Sequence, residues 1–151
     1  MPKGDVFLNN NETVKLLESC HAGIIMATDS IADMLDKITD PKLNHIAASC
    51  KNAHEILGAE TKEILRKHGL EEKEPSMMAE AMSWLKTNVK IAMDDSDKTV
   101  AALLTDGCNM GIKTLRKDLN ACKNADESAK SIANRLIELE SKFVEDVAFY
   151  L

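Results

Sequence analysis

Four side chains that can bind a metal or move a proton are spread along this chain, one in each long helical stretch: His21, His54, Cys108 and Glu140. Imidazole, thiolate and carboxylate together are a donor set for a single tetrahedral Zn2+ or Fe2+. With Glu140 left unbound as a proton acceptor, three protein ligands would leave one position open for water or substrate. Each residue also has a plainer role. Cys108 fits as a small buried hydrophobe, and His21 as a core histidine hydrogen-bonded across to His54. His54 lies beside an apolar seam and can face solvent, while Glu140 can sit on a flank paired with Lys or Arg. His45 and His68 read as surface residues. Which role applies depends on whether the surrounding elements bring the four residues together.

Those elements are helices. Four stretches of similar length, about 11–38, 41–68, 96–121 and 125–150, carry heptads of apolar residues, and a shorter helix is predicted at about 76–93. The first seam reads Val14, Leu17, His21, Ile24, Thr28, Ile31, Leu35, Ile38, alternating steps of three and four. The second carries Leu43, Ile46, Cys50, Ala53, Leu57 and Ile64, with His54 beside it. The third carries Leu104, Cys108, Ile112, Leu115 and Leu119; the fourth Ile132, Leu136, Leu139, Phe143 and Val147. Boundary signals agree with this division. Asn9 with Glu12 has capping-box spacing, as does Asn124 with Glu127. Asp40-Pro41 ends one helix and starts the next, and Gly69 suits the residue after a helix end. The acids of Asp94-Asp95-Ser96-Asp97 read as helix caps; the run lacks the glycine and glutamate of an EF-hand loop. Gly107 and Gly111, one turn apart, point to a close approach between helices, since each costs ~1 kcal/mol against Ala.

The pattern predicts an all-α fold: an up-down four-helix bundle over residues 1–151, with a long crossover that contains a short fifth helix. Counting residues along antiparallel helices puts His21, His54, Cys108 and Glu140 within about five residues of one height, ~7 Å along the axis. In the crossover, Met77, Trp84 and Ile91 are spaced by seven. They either pack on the bundle or form a strip for a second subunit, so a symmetric homodimer through this helix is one expectation.

Composition narrows the function classes. The chain has 25 acidic against 19 basic residues and a formal net charge of −6, which disfavours nucleic acid or an anionic membrane as the partner. No run reaches the ~18 apolar residues of a membrane span, and the Met-Pro-Lys-Gly-Asp start lacks a signal-peptide core. A cytoplasmic location is the expectation. Cys20, Cys50, Cys108 and Cys122 show no C-x-x-C pairing and are expected as free thiols.

Two helical hairpins joined by a long crossover resemble the ferritin-like fold, and more narrowly the stand-alone bacterial ferritin-like bundles. The resemblance covers almost the whole chain. It rests on Leu65-Arg66-Lys67-His68-Gly69, on the segment around Trp84-Leu85-Lys86, and on Gly107. It implies a di-metal site built from a Glu on each of two helices and a Glu-x-x-His on each of the others. This sequence departs from that pattern: Lys51-Asn52-Ala53-His54 has Lys in place of Glu, Cys108 follows Gly107, Glu140-Ser141-Lys142-Phe143 lacks the His, and His21 replaces a Glu. So few carboxylates disfavour two hard cations. The leading expectation is a non-enzymatic bundle serving as a structural, interaction or small-ligand-binding module, with no cofactor. The alternative is a metal-binding or redox protein with one Zn or Fe ion at mid-bundle.

Overall fold

The computed structural model describes residues 3–69 and 96–151, with residues 3–9 by backbone alone. The described residues form four α-helices and no strand: α1 (Lys3–Leu35), α2 (Pro41–Lys67), α3 (Asp97–Ala121) and α4 (Glu127–Val147), followed by a 3-10 turn at Ala148–Tyr150. The crossover helix expected at 76–93, and with it Met77, Trp84 and Ile91, lies outside the described residues.

Several helix ends follow from local chemistry. Asp40 caps α2 by accepting from the Leu43 N–H at 2.9 Å, and Pro41, which has no N–H to orphan, takes the first position. Gly69 follows α2 with φ +77°, a left-handed conformation that glycine adopts without steric cost. Ser96 caps α3 through the Thr99 N–H at 3.1 Å.

Three expectations about ends are corrected. Helix α1 begins at Lys3, so Asn9 and Asn10 are helical and the Asn9–Glu12 capping box is absent. Interior Asn costs a helix only a few tenths of a kcal/mol, up to ~0.7, and a cap-like spacing does not stop it. Glu12 instead accepts from the Asn124 N–H at 3.1 Å. Helix α4 starts at Glu127 after Asp126, rather than after Asn124, and the Asp126 N–H donates to Thr13 Oγ1 on α1 at 2.7 Å.

The same contacts fix the helix directions. His68 Nδ1 bonds Asn10 Oδ1 at 2.7 Å, placing the end of α2 beside the early part of α1. The α3–α4 turn lies at that end too, through Asn124 and Asp126. At the opposite end, Asp97 accepts from the Thr39 and Asp40 N–H groups at 2.8 and 2.9 Å, and the Tyr150 hydroxyl donates to Asp40 Oδ2 at 2.6 Å. Helices α1 and α4 therefore run one way, α2 and α3 the other. Packing pairs α1 with α2, α2 with α4, α4 with α3 and α3 with α1, and α1 also touches α4 across the middle. Every side of this square is antiparallel.

The interior is in two parts. One apolar cluster, at the Asn10 end, includes Leu16, Leu17, Leu57, Leu115, Ile132 and Leu136. The other, at the Tyr150 end, includes Ile31, Met34, Leu43, Leu104, Phe143 and Val147. Each such side chain buried in full stabilises the fold by ~1.5–3 kcal/mol, whereas an exposed pair such as Arg135–Glu60 contributes under about 1 kcal/mol. The clusters, then, hold the helices together. Between them lies a polar layer.

Candidate functional site: a buried histidine–glutamate pair

On each helix the break between the two clusters falls at a definite turn. On α2 it lies between Cys50 and Leu57, and there stands His54; on α4 it lies between Ile137 and Phe143, and there stands Glu140. Both are interior residues, His54 at 0 % and Glu140 at 4 % exposure. His54 does not face solvent, and Glu140 is not on a flank with a Lys or Arg. His54 Nε2 and Glu140 Oε1 are 3.7 Å apart. That distance joins them electrostatically but exceeds a hydrogen bond.

The other face of the imidazole is fixed by its own helix. His54 Nδ1 lies 2.8 Å from the Cys50 carbonyl oxygen and 3.5 Å from Cys50 Sγ, one turn back. A carbonyl oxygen can only accept, so Nδ1 carries a hydrogen and donates to it. Nε2 is left pointing at Glu140. Neither His54 Nε2 nor Glu140 Oε2 has a hydrogen-bond partner, although both are buried.

Gly111 on α3 makes room for the carboxylate. A Cβ at this position would stand 2.8 Å from Glu140 Oε2 and 2.9 Å from Oε1. The Gly107–Gly111 pair thus has a different meaning from the helix–helix approach expected of it. Gly107 has nothing within 4 Å of its missing Cβ, and Gly111 meets a side chain. Sequence inspection could have found Gly111 only by knowing the rotation of α3 against α4.

Three thiols are linked to the pair: Cys50 touches His54, and Cys20 and Cys108 feel the charge of Glu140. Cys20, Cys50 and Cys108 are buried and free, as is Cys122 further off. Burial pushes Cys20 up to about 12, with the Asp118 and Glu140 charges adding to the rise. Burial raises Cys108 as well, helped by the negative charge of Glu140 and by Cys50. Burial opposes a charge on His54, but the contacts with Cys50 and Glu140 outweigh it and raise the imidazole to about 10. Glu140 is raised by burial, with His54 acting against the rise. The pair therefore keeps a proton at neutral pH.

The structure joins His54 to Glu140 directly and places Cys108 in the field of Glu140. His21 is buried on α1, next to Cys20. Counting rise from the contacts at the Asn10 end puts it ~5–9 Å below the level of the pair. The α1 turn level with the pair is Ile24–Thr28, where Thr28 donates to its own helix at Ile25 O, 3.1 Å. Among the described residues, no three His, Cys, Asp or Glu side chains stand close enough together to hold a metal ion as they are. Nor, among those residues, is any helix long and apolar enough to cross a membrane.

Comparison with known proteins adds no identity: no family model matches this chain, and no curated protein sequence matches it.

Proposed function

We propose that this chain is a ferritin-like helical bundle that acts as a binding module rather than an enzyme, and that it holds a small ligand or ion in the polar layer of its core. The ferritin-like part is supported by the helix directions: two antiparallel hairpins, with α2 and α3 running parallel. The binding part is carried by one observation. His54 Nε2 and Glu140 Oε2 are buried without hydrogen-bond partners between the two apolar clusters of the interior.

Leaving a polar atom buried and unpaired costs ~1–3 kcal/mol, and more for a charged one. A bundle that needed only stability would do as well with two apolar residues there. A guest in the layer would satisfy both atoms. Burial raises the Cys20 and Cys108 thiols and so keeps them protonated, and a protonated thiol is a poor nucleophile. That favours binding over covalent chemistry.

Native mass spectrometry of protein purified without chelator or affinity metal tests the reading. Bound mass above the 16.6 kDa chain, lost in a Glu140→Gln variant, is the expected result. A bare chain, together with a His54→Leu/Glu140→Leu variant that is more stable than the parent, would assign the pair to fixing the bundle's register instead.

A further inference from the structure

We infer that the guest is a small organic cation of the alkylammonium class, and that it enters between α1 and α3, over Gly107 and Gly111, to donate to Glu140. The inference rests on the interior-binding reading and names the class of ligand.

The outer oxygen of Glu140 carries it first. The proton that the pair keeps serves the side where His54 Nε2 and Glu140 Oε1 face each other. The second oxygen, Oε2, is turned to the Gly111 backbone, 2.8 Å from where a Cβ would stand, and has no hydrogen-bond partner. Glu140 is only 4 % exposed, whereas Gly111 is half-buried. One turn before Gly111, on the same face of α3, Gly107 is exposed and has nothing within 4 Å of its missing Cβ. The two glycines leave a bare strip of helix backbone that leads from the surface of α3 down to Oε2. A carboxylate oxygen at the end of such a strip calls for a donor, and an N–H on a positively charged nitrogen makes the stronger kind of bond.

Charge at the mouth of the strip supplies the second argument. Thr39 bonds Asp97 and Ser19 bonds Asp118, which fixes the register of α1 against α3. Counting from these contacts puts Asp29 level with Gly107 and Asp33 one turn beyond it, Asp33 on the α3 side of its helix and Asp29 farther out. Asp106 is the neighbour of Gly107 on α3. All three acids are exposed, and among the described residues none of them makes an ion pair. Asp33 stands in the last turn of α1, where the helix dipole disfavours a negative charge, so helix stability does not account for it. An acidic mouth above a buried carboxylate selects a cation over a neutral or anionic guest. Met110, between the two glycines in height and 52 % exposed, offers apolar surface to an alkyl chain. A diamine matches the whole strip: one ammonium donates to Oε2, and the other lies at the acidic mouth, one helical turn or ~6 Å away.

The test is a calorimetric titration of the full chain with 1,4-diaminobutane, with propylamine, and with 1,4-butanediol as the uncharged control. Saturable one-to-one binding of the diamine is expected, with weaker binding of propylamine and none of the diol. Glu140→Gln should weaken the diamine by about tenfold or more, as the loss of a hydrogen bond to a charged group does. Asp33→Asn/Asp106→Asn, which changes only exposed side chains, should weaken it roughly threefold at low salt. Should Glu140→Gln fail to fold, Gly107→Leu decides: the position is exposed and helical, so the fold tolerates the side chain, and diamine binding unchanged by it overturns the entry route. No saturable binding of the diamine at millimolar concentration overturns the ligand class. Binding that keeps its strength in Glu140→Gln and fades with salt is attraction to surface acids alone, and overturns it too. If the diamine does not bind while native mass spectrometry shows a guest lost in Glu140→Gln, interior binding stands without this ligand; a bare chain removes both.

Discussion

Replacing the two halves of the buried pair, singly and together, is the sharpest check on the polar layer. At 3.7 Å, a charged His54 and Glu140 attract by ~4–5 kcal/mol with an effective dielectric of ~20. Desolvation of both groups offsets much of this. Removing one partner still leaves the other buried without compensation. In His54→Leu, Glu140 can take up a proton, which its burial already favours, and this limits the damage. The expected cost in chelator-treated protein is therefore ~3 kcal/mol, the low end for a broken buried pair. For a domain of this length that lowers the melting temperature by roughly 6–12 °C. Glu140→Leu should cost a similar amount, because His54 then faces only apolar neighbours. The double variant should recover most of the loss, giving a coupling energy of ~2–3 kcal/mol by urea unfolding. Costs that simply add, to within ~0.5 kcal/mol, would refute the reasoning: the two residues would not be sharing a proton or a charge.

Three further outcomes are expected. Acid should loosen the Tyr150 end of the bundle: hydrogen bonds from Tyr150 and the Leu43 N–H hold the Asp40 carboxyl below its usual range, and those from Thr39 do the same for Asp97. Carboxylates lowered by folding contribute stability above the unfolded range near pH 4, and that contribution is lost as pH falls through their folded values. Stability measured from pH 6 to 3 should accordingly fall less steeply in Asp97→Asn. The thiols should resist alkylation in the native state at pH 8, since Cys20 is held up at about 12 and Cys108 and Cys122 are also raised; rapid labelling of Cys20 before unfolding would contradict this. Gly69→Ala should destabilise by ~1 kcal/mol in a denaturant titration, because φ is +77° there and a Cβ strains a left-handed residue.

Helix positions were legible wherever the signal was local. Asp40-Pro41 and Gly69 are read from three or four consecutive residues, and the structure has the expected cap, turn and positive φ at those positions. The misread ends are those stabilised from elsewhere in the chain. Asp126 makes no side-chain cap of its own, and its N–H is satisfied by Thr13, on another helix. The cap of α3 is Ser96 rather than one of the acids expected there, and the Asp97 carboxylate serves the start of α2. Neither arrangement leaves a pattern within four residues, so neither could be read from spacing.

The candidate site shows the same division between height and rotation. Axial height follows from counting at ~1.5 Å per residue, so the sequence could bring His54, Cys108 and Glu140 to one level. Which way each side chain turns depends on helix rotation, and an undistorted helix drifts ~20° per heptad against its apolar repeat. Over the two or more heptads between a helix end and mid-bundle, that drift moves a residue from flank to core. His54 and Glu140, each readable as a flank residue, turn inward. His21, in the seam, is buried but belongs to a lower level. Gly111 is the residue that makes the inward turn of Glu140 sterically allowed, because any Cβ there would lie under 3 Å from both carboxylate oxygens. Gly111→Ala therefore separates site from scaffold. The added Cβ gains ~1 kcal/mol of helix propensity, and the group it displaces is the flexible end of a side chain. Displacing the carboxylate from His54 sets the ~3 kcal/mol of a broken buried pair against that gain, so a net loss of ~2 kcal/mol is expected together with loss of any guest in the layer, and retained binding would show that the notch is not part of the site.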